Sequence, residues 1–333
     1  MDDIDLKRKD LPTWKDIAWW RRQLPILLIY AFCICMFILI GFYSPSFTSY
    51  NNLRNIIQQA AILGVAAIGQ TLIIMTGGID LSIPGVMGVA GVLLVRMTPP
   101  DGNIIIPFII VLGIAVLVGL LNGIGVGIFK APPIIMTLGM NTLLGGLLVV
   151  TAKGVISGQG TNSSLIRKLA IGSIGPFPIA GLFWLLLIIL VTLVLWRTSF
   201  GRKVYAIGSN PQASEICGVN VPVILIGLYI ISACTSAISG WMLSGYLSQA
   251  YASMGDSYLF ISITAVLVGG VSMMGGSGNY LGTVAGTIAL TIISGFLVIL
   301  NLGSAEMRII NGLIIFATVA LSKYFQKIRT GIK

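Results

Sequence analysis

Apolar residues fall into successive runs of roughly 16 to 26 residues separated by short polar stretches. About 20 such residues cross 30 Å of hydrocarbon as a helix rising 1.5 Å per residue. The pattern predicts ten spans, at 24–43, 54–75, 83–98, 104–129, 133–152, 178–196, 222–246, 259–274, 280–300 and 306–323. The expected fold is therefore all-α, a polytopic helical bundle in the lipid bilayer. It divides into an N-terminal segment 1–22, a transmembrane domain 23–323 interrupted by a polar loop at 197–222, and a tail 324–333. Trp14, Trp19 and Trp20 among the charges of the leader suit an amphipathic segment at the membrane interface. The first span has no small-residue cleavage site after it and is expected to stay as a signal anchor.

Two places break the apolar pattern in the same way. "TGGIDLSIPGVMGVAGVLL" and "GGVSMMGGSGNYLGTVAGTIAL" each give a Gly-Gly pair, a short interruption and a Gly-rich helix with a V-A-G triplet. Discontinuous helices at matching positions of two halves point to a transporter built from internal repeats, though close packing of small residues gives a similar pattern. The expected broken-helix residues are Gly77, Gly78, Ser82 and Pro84, and Gly269, Gly270, Gly275 and Gly276.

Charge sets the orientation. Of 20 Lys and Arg, only Arg54, Arg96, Lys153, Arg167, Lys168 and Arg308 fall on the side opposite the termini. The positive-inside bias then puts both termini in the cytoplasm of a multi-pass inner-membrane protein. The chain is 56% hydrophobic and 9% charged. Its formal charge of +10 flanks spans and forms no basic patch with interleaved aromatics, so no nucleic-acid partner is expected. Cys33, Cys35, Cys217 and Cys234 have no metal-ligand spacing, and neither metal nor cofactor is expected.

Asp80 is the acid that stands out at membrane depth. Two roles are open to it: support for a helix start formed by Ser82 as N-cap and Pro84 in the first turn, or a place in the solute path. Gln70, Thr71, Asn122 and Asn141 are further polar groups within spans and join Asp80 as candidate path residues, each also able to bond a neighbouring helix. Asp101, Asp256 and Glu306 fall in loops or at span ends, so no pair of facing carboxylates supports a catalytic site. The chain has no histidine and no GxxxxGK[ST] loop, hence it lacks the usual proton-relay residues and is not expected to bind ATP by a Walker A motif.

The polar loop holds a compact helix signal, with Asn210 as N-cap, Pro211 at the first helical position and Gly218 as the stop. A short capped helix with no core to join reads as a docking element, or as a helix lying against the membrane face.

"GQTLIIMTGGIDLSIPG", "APPIIMTLGMNTLLGG", "TSFGRKVYAIGSNPQASEICGVNV" and "VLVGGVSMMGGSGNYLGTVAG" together resemble the permease subunits of ribose-type sugar importers of the ATP-binding cassette superfamily, over about 52–323. The resemblance implies a second permease chain, a cytoplasmic ATPase subunit and an extracytoplasmic sugar-binding protein as partners. It also implies that 201–218 is the ATPase-docking loop, involving Gly201, Arg202, Tyr205, Gly208, Asn210, Ala213, Glu215 and Gly218. Many relatives carry Glu-Leu-Asp where this chain reads Tyr258, Leu259 and Phe260, which leaves Asp256 as the nearest acid. Translocation of a monosaccharide or similar polar solute by alternating access is the expected function. An ion-coupled secondary transporter using Asp80 is the alternative.

Overall fold

A computed structural model of the chain describes residues 17–98, 102–151, 157–158 and 164–303, with further single positions between 306 and 320. The leader up to residue 16 and the tail 324–333 lie outside the described residues.

The helices in chain order are α1 (Ile17–Tyr43), α2 (Tyr50–Met75), α3 (Ile83–Met97), α4 (Ile105–Gly127), α5 (Pro133–Thr151), α6 (Ser164–Ile171), α7 (Ile179–Arg197), α8 (Ser199–Ser209), α9 (Pro211–Ile216), α10 (Val221–Leu247), α11 (Tyr258–Val268) and α12 (Tyr280–Ile299). Where described, positions between 306 and 320 are helical, as the tenth span requires. Two small antiparallel pairs, β1 (Ser157–Gly158) with β4 (Ala250–Tyr251) and β2 (Ser173–Ile174) with β3 (Phe177–Pro178), tie loops together. The protein is a polytopic helical membrane protein: among the described residues seven helices are long and apolar enough to cross a bilayer.

α2 and α10 are the central helices. In the apolar window of α2, 89% of residues are buried, against 11% for α1, whose Leu28, Ile34, Leu39 and Phe42 face outward. Lipid is as apolar as those side chains, so a helix that would be unstable in water is stable there. α10 packs against α2, α3 and α4. At the α4–α10 contact a Cβ on Gly119 would stand 2.6 Å from the Tyr229 carbonyl oxygen. The α2 side is fastened by a buried relay in which Trp184 Nε1 donates to the Tyr280 hydroxyl (2.9 Å), which donates to the Gly64 carbonyl (2.8 Å).

Loops segregate to two ends in the predicted alternation. At one end the Tyr50 hydroxyl donates to Pro176 O (3.0 Å), Gln58 Nε2 donates to Ile171 O (3.2 Å) and β1 pairs with β4. At the other, the Gly276 N–H donates to Met75 O (2.9 Å) and the Tyr205 hydroxyl to Gly278 O (2.8 Å).

The expected spans 83–98 and 259–274 are shorter than a bilayer. α3 has 15 residues and α11 has 11, hence roughly 22 and 16 Å of helix. α11 stops at Val268 and not at 274 because Gly270 turns left-handed (φ +82). α2 ends identically: Gly77 has φ +82, Gly77 N–H bonds Ile74 O and Gly78 N–H bonds Ile73 O, as Gly270 N–H bonds Leu267 O and Val271 N–H bonds Val266 O. Both ends are the same glycine-terminated cap, which satisfies carbonyls a helix end would leave bare. The two broken segments thus match in their hydrogen bonding, with Gly77 equivalent to Gly270.

The α4–α10 contact makes a direct prediction. Gly119→Val destabilises the fold by about 1–3 kcal/mol through overpacking, read as a lowered thermal midpoint in detergent. Gly113→Val on the same helix, where a Cβ meets nothing within 4 Å, leaves the midpoint unchanged or slightly raised.

Candidate functional site

Between α2 and α3 the chain runs without helix from Gly78 to Ser82 and is bonded to three other helices. Asp80 Oδ1 accepts from the Ser82 N–H (2.8 Å) and the Ser82 hydroxyl (2.6 Å), and Oδ2 accepts from the Ser232 hydroxyl of α10 (2.6 Å). Asn122 of α4 donates from Nδ2 to Ser82 Oγ (2.9 Å). From α5, Thr137 Oγ1 accepts from the Leu81 N–H (2.9 Å) and Asn141 Oδ1 from the Gly85 N–H (2.8 Å). Ser82 stands at the N-cap position, but its hydroxyl turns to Asp80 and makes no capping bond. That corrects the expected cap: the carboxylate is the stronger acceptor, and it gathers the donors that would otherwise be loose at this helix start. Pro84 occupies the first turn as expected, where its missing N–H is harmless. Asp80 is 2% exposed. It lies just ahead of the N-terminal end of α3.

A cleft of about 760 Å³ opens beside this brace, lined by Gln59 and Leu63 of α2, Pro84, Asn141, Asp256 through Ile261, and Thr291 and Ser294 of α12. Of the five candidate path residues only Asn141 lines it; Gln70, Thr71, Asp80 and Asn122 are buried. Thr71 bonds the hydroxyl of Thr283 (2.9 Å) and the Ala67 carbonyl (2.6 Å). The stretch Tyr258–Phe260 is part of the wall, and Asp256 is the carboxylate that faces the cleft among the described residues. The cleft therefore presents carboxamides, hydroxyls and one acid between apolar surfaces. Thr287, Thr291 and Ser294, spaced four and three apart on α12, are the signal that could have marked this helix as part of the wall.

The polar loop folds into two helices where one was expected. α9 forms as predicted: Asn210 Oδ1 accepts from the Ala213 N–H (3.0 Å), Pro211 follows, and Gly218 (φ +80) turns the chain out. α8 precedes it with Gly201, Val204 and Ile207 inward and Arg202 and Lys203 outward, a helical stripe that two glycines obscure in the sequence. Glu215 and Ile216 of α9 are exposed, Ile216 at 88%.

Gly208 marks the point where the pieces meet. A side chain there would strike the Met75 carbonyl and the Gly276 nitrogen, the two partners of the bond that joins the end of α2 to the loop between α11 and α12. Gly275 and Gly276 are left-handed (φ +81 and +73), which turns that loop under α8. Tyr205, one turn earlier, donates its hydroxyl to Gly278 O; burial pushes this phenol up, so it stays a donor. The polar loop is thus in contact with both broken segments at once. Among the described residues no group of three or more His, Cys, Asp or Glu could hold a metal.

The model of the family described as the permease component of a branched-chain amino acid transport system matches residues 52–326. Similar proteins include the fructose import permease FrcC of Rhizobium meliloti, 32% identical over 91% of this chain and 86% of the relative. The ribose import permease RbsC of Haemophilus influenzae is 30% identical over 87% and 91%, and the galactose/methyl galactoside import permease MglC of Escherichia coli K12 is 31% identical over 90% and 95%. No solved structure matches the chain. With the model matched over most of its length and relatives aligned nearly end to end, the chain belongs to the ribose-type permease family of ATP-binding cassette importers.

Proposed function

We propose that this chain is the membrane-spanning subunit of an importer that moves a monosaccharide or similar neutral polar solute across the cytoplasmic membrane by alternating access. A separate ATPase docks on α8 and α9 from the cytoplasm. A binding protein on the other side delivers the solute, and a second permease chain completes the path. Both termini lie in the cytoplasm. The observation that carries this reading is Gly208: the last turn of α8 sits on the bond between Met75 and Gly276, so a push on the docking element reaches both broken segments together. Interrupted helices with bistable packing are the parts such a movement needs. The exposed Ile216 and Glu215 offer a small apolar and acidic contact for the ATPase. The sugars named for the relatives are uncharged and rich in hydroxyls, which suits a cleft of carboxamides and hydroxyls. Asp80, already accepting from three donors, serves in this reading to hold α3 to α10.

Proteoliposomes holding this chain with its ATPase and binding protein take up labelled sugar only when ATP is supplied on the ATPase side; uptake by the permease alone contradicts the reading. Gly208→Val lowers solute-stimulated ATP hydrolysis about tenfold while membrane insertion persists, and unchanged hydrolysis would place docking on another loop. Asp80→Asn offers fewer acceptors to the same donors and destabilises the fold by about 1–3 kcal/mol. Uptake in this variant is reduced but remains ATP-driven and indifferent to sodium and proton gradients, whereas wild-type uptake that follows such a gradient and survives ATP depletion would make Asp80 an ion-coupling group.

A further inference from the structure

The cleft closes inward on a small apolar cluster in which Leu63 of α2 packs with Ala265 of α11 and Leu290 of α12, all at most 3% exposed, with Tyr258 and Ile261 against them. Beyond this plug on α2 lies Gln70. Positions 59, 63, 66 and 70 recur at spacings of four, three and four, which places them on one face of a helix. Eleven residues bring the helix round to within about 20° of its starting direction, so Gln70 points into the sector of the cleft residue Gln59, roughly 16 Å deeper.

The flanking positions on α2 are fully accounted for. Gly69 packs against Ser232 of α10, and Thr71 bonds Thr283 of α12. Gln70 differs: it is 0% exposed, and neither Oε1 nor Nε2 has a partner among the described residues. A buried carboxamide given no protein partner is unfavourable in this arrangement and gains as soon as a hydroxyl reaches it. Its direction along α2 and its position behind the plug say from where that would come.

We propose that Gln70 is an inner contact for the solute, sealed in this conformation behind Leu63, Ala265 and Leu290 and opened to the path when α11 parts from α2. The chemistry fits a vicinal diol, since a carboxamide offers an acceptor and a donor side by side and two adjacent hydroxyls offer the complement. This rests on the chain being a permease for a hydroxylated solute.

The test uses the assembled transporter, with the four native cysteines replaced. Gln70→Cys is exposed to a small charged thiol reagent with and without a non-hydrolysable ATP analogue, and Gln59→Cys is the reference. Residue 70 is expected to react about tenfold faster in one nucleotide state than in the other, while residue 59 reacts in both. Equal, slow reaction at 70 in both states overturns the proposal and leaves Gln70 an inert buried amide. Gln70→Leu supplies a second readout: removing the unpaired groups raises the thermal midpoint and lowers uptake about tenfold, and uptake at the wild-type rate overturns the proposal as well. The labelling needs no solute, so absence of ATP-driven sugar uptake by the wild-type transporter would sink the importer reading without deciding whether residue 70 opens.

Discussion

One hydrogen bond joins the two broken segments of this protein: the Gly276 N–H to the Met75 carbonyl, 2.9 Å, directly under Gly208. A helix end buried in protein leaves carbonyls that water does not reach, so they must find partners in the protein. Here the end of α2 finds part of its partner in the loop that follows α11, and the two interruptions become a single structure. Gly208 has no side chain to hold them apart, and Tyr205 adds a second tie through Gly278. The polar loop is therefore packed on the junction of the two breaks and not on either helix alone.

The architecture around that junction combines two kinds of contact. α3 and α11 are half-length helices, and the stretch that leads into α3 is fastened by Asp80, Asn122, Thr137 and Asn141 to α10, α4 and α5. These bonds have direction, so they fix where α3 starts. The plug of Leu63, Ala265 and Leu290 has none, and apolar contacts can part and re-form without stranding a donor. The cleft side is thus closed by the kind of contact that opens readily, and the brace is built from the kind that does not.

The spans were legible in the sequence because hydropathy dominates in lipid; Val221–Leu247 and Tyr280–Ile299 fall within a residue of the expected limits. The hydropathy limit of α11 overran its true end, since "VLVGGVSMM" stays apolar past the break that the Gly269–Gly270 pair marked. Asn210, Pro211 and Gly218 announced α9 through local chemistry, whereas Gly201 and Gly208 hid α8, being poor helix formers kept for close contact. Asp80 could be picked out, but its partner Ser232 could not: a serine 152 residues away in an apolar helix carries no mark of its role. The cleft belongs to the same class, since Gln59, Asn141, Asp256 and Thr291 meet only through the packing of four separate segments.

Hydrogen exchange at the two breaks, in the complex with its ATPase as nucleotide is added and removed, tests the central claim most directly. If the docking element acts on one shared junction, the amides of 76–82 and of 272–279 change protection together. A change confined to one of these segments, with the other unaffected, would contradict the account.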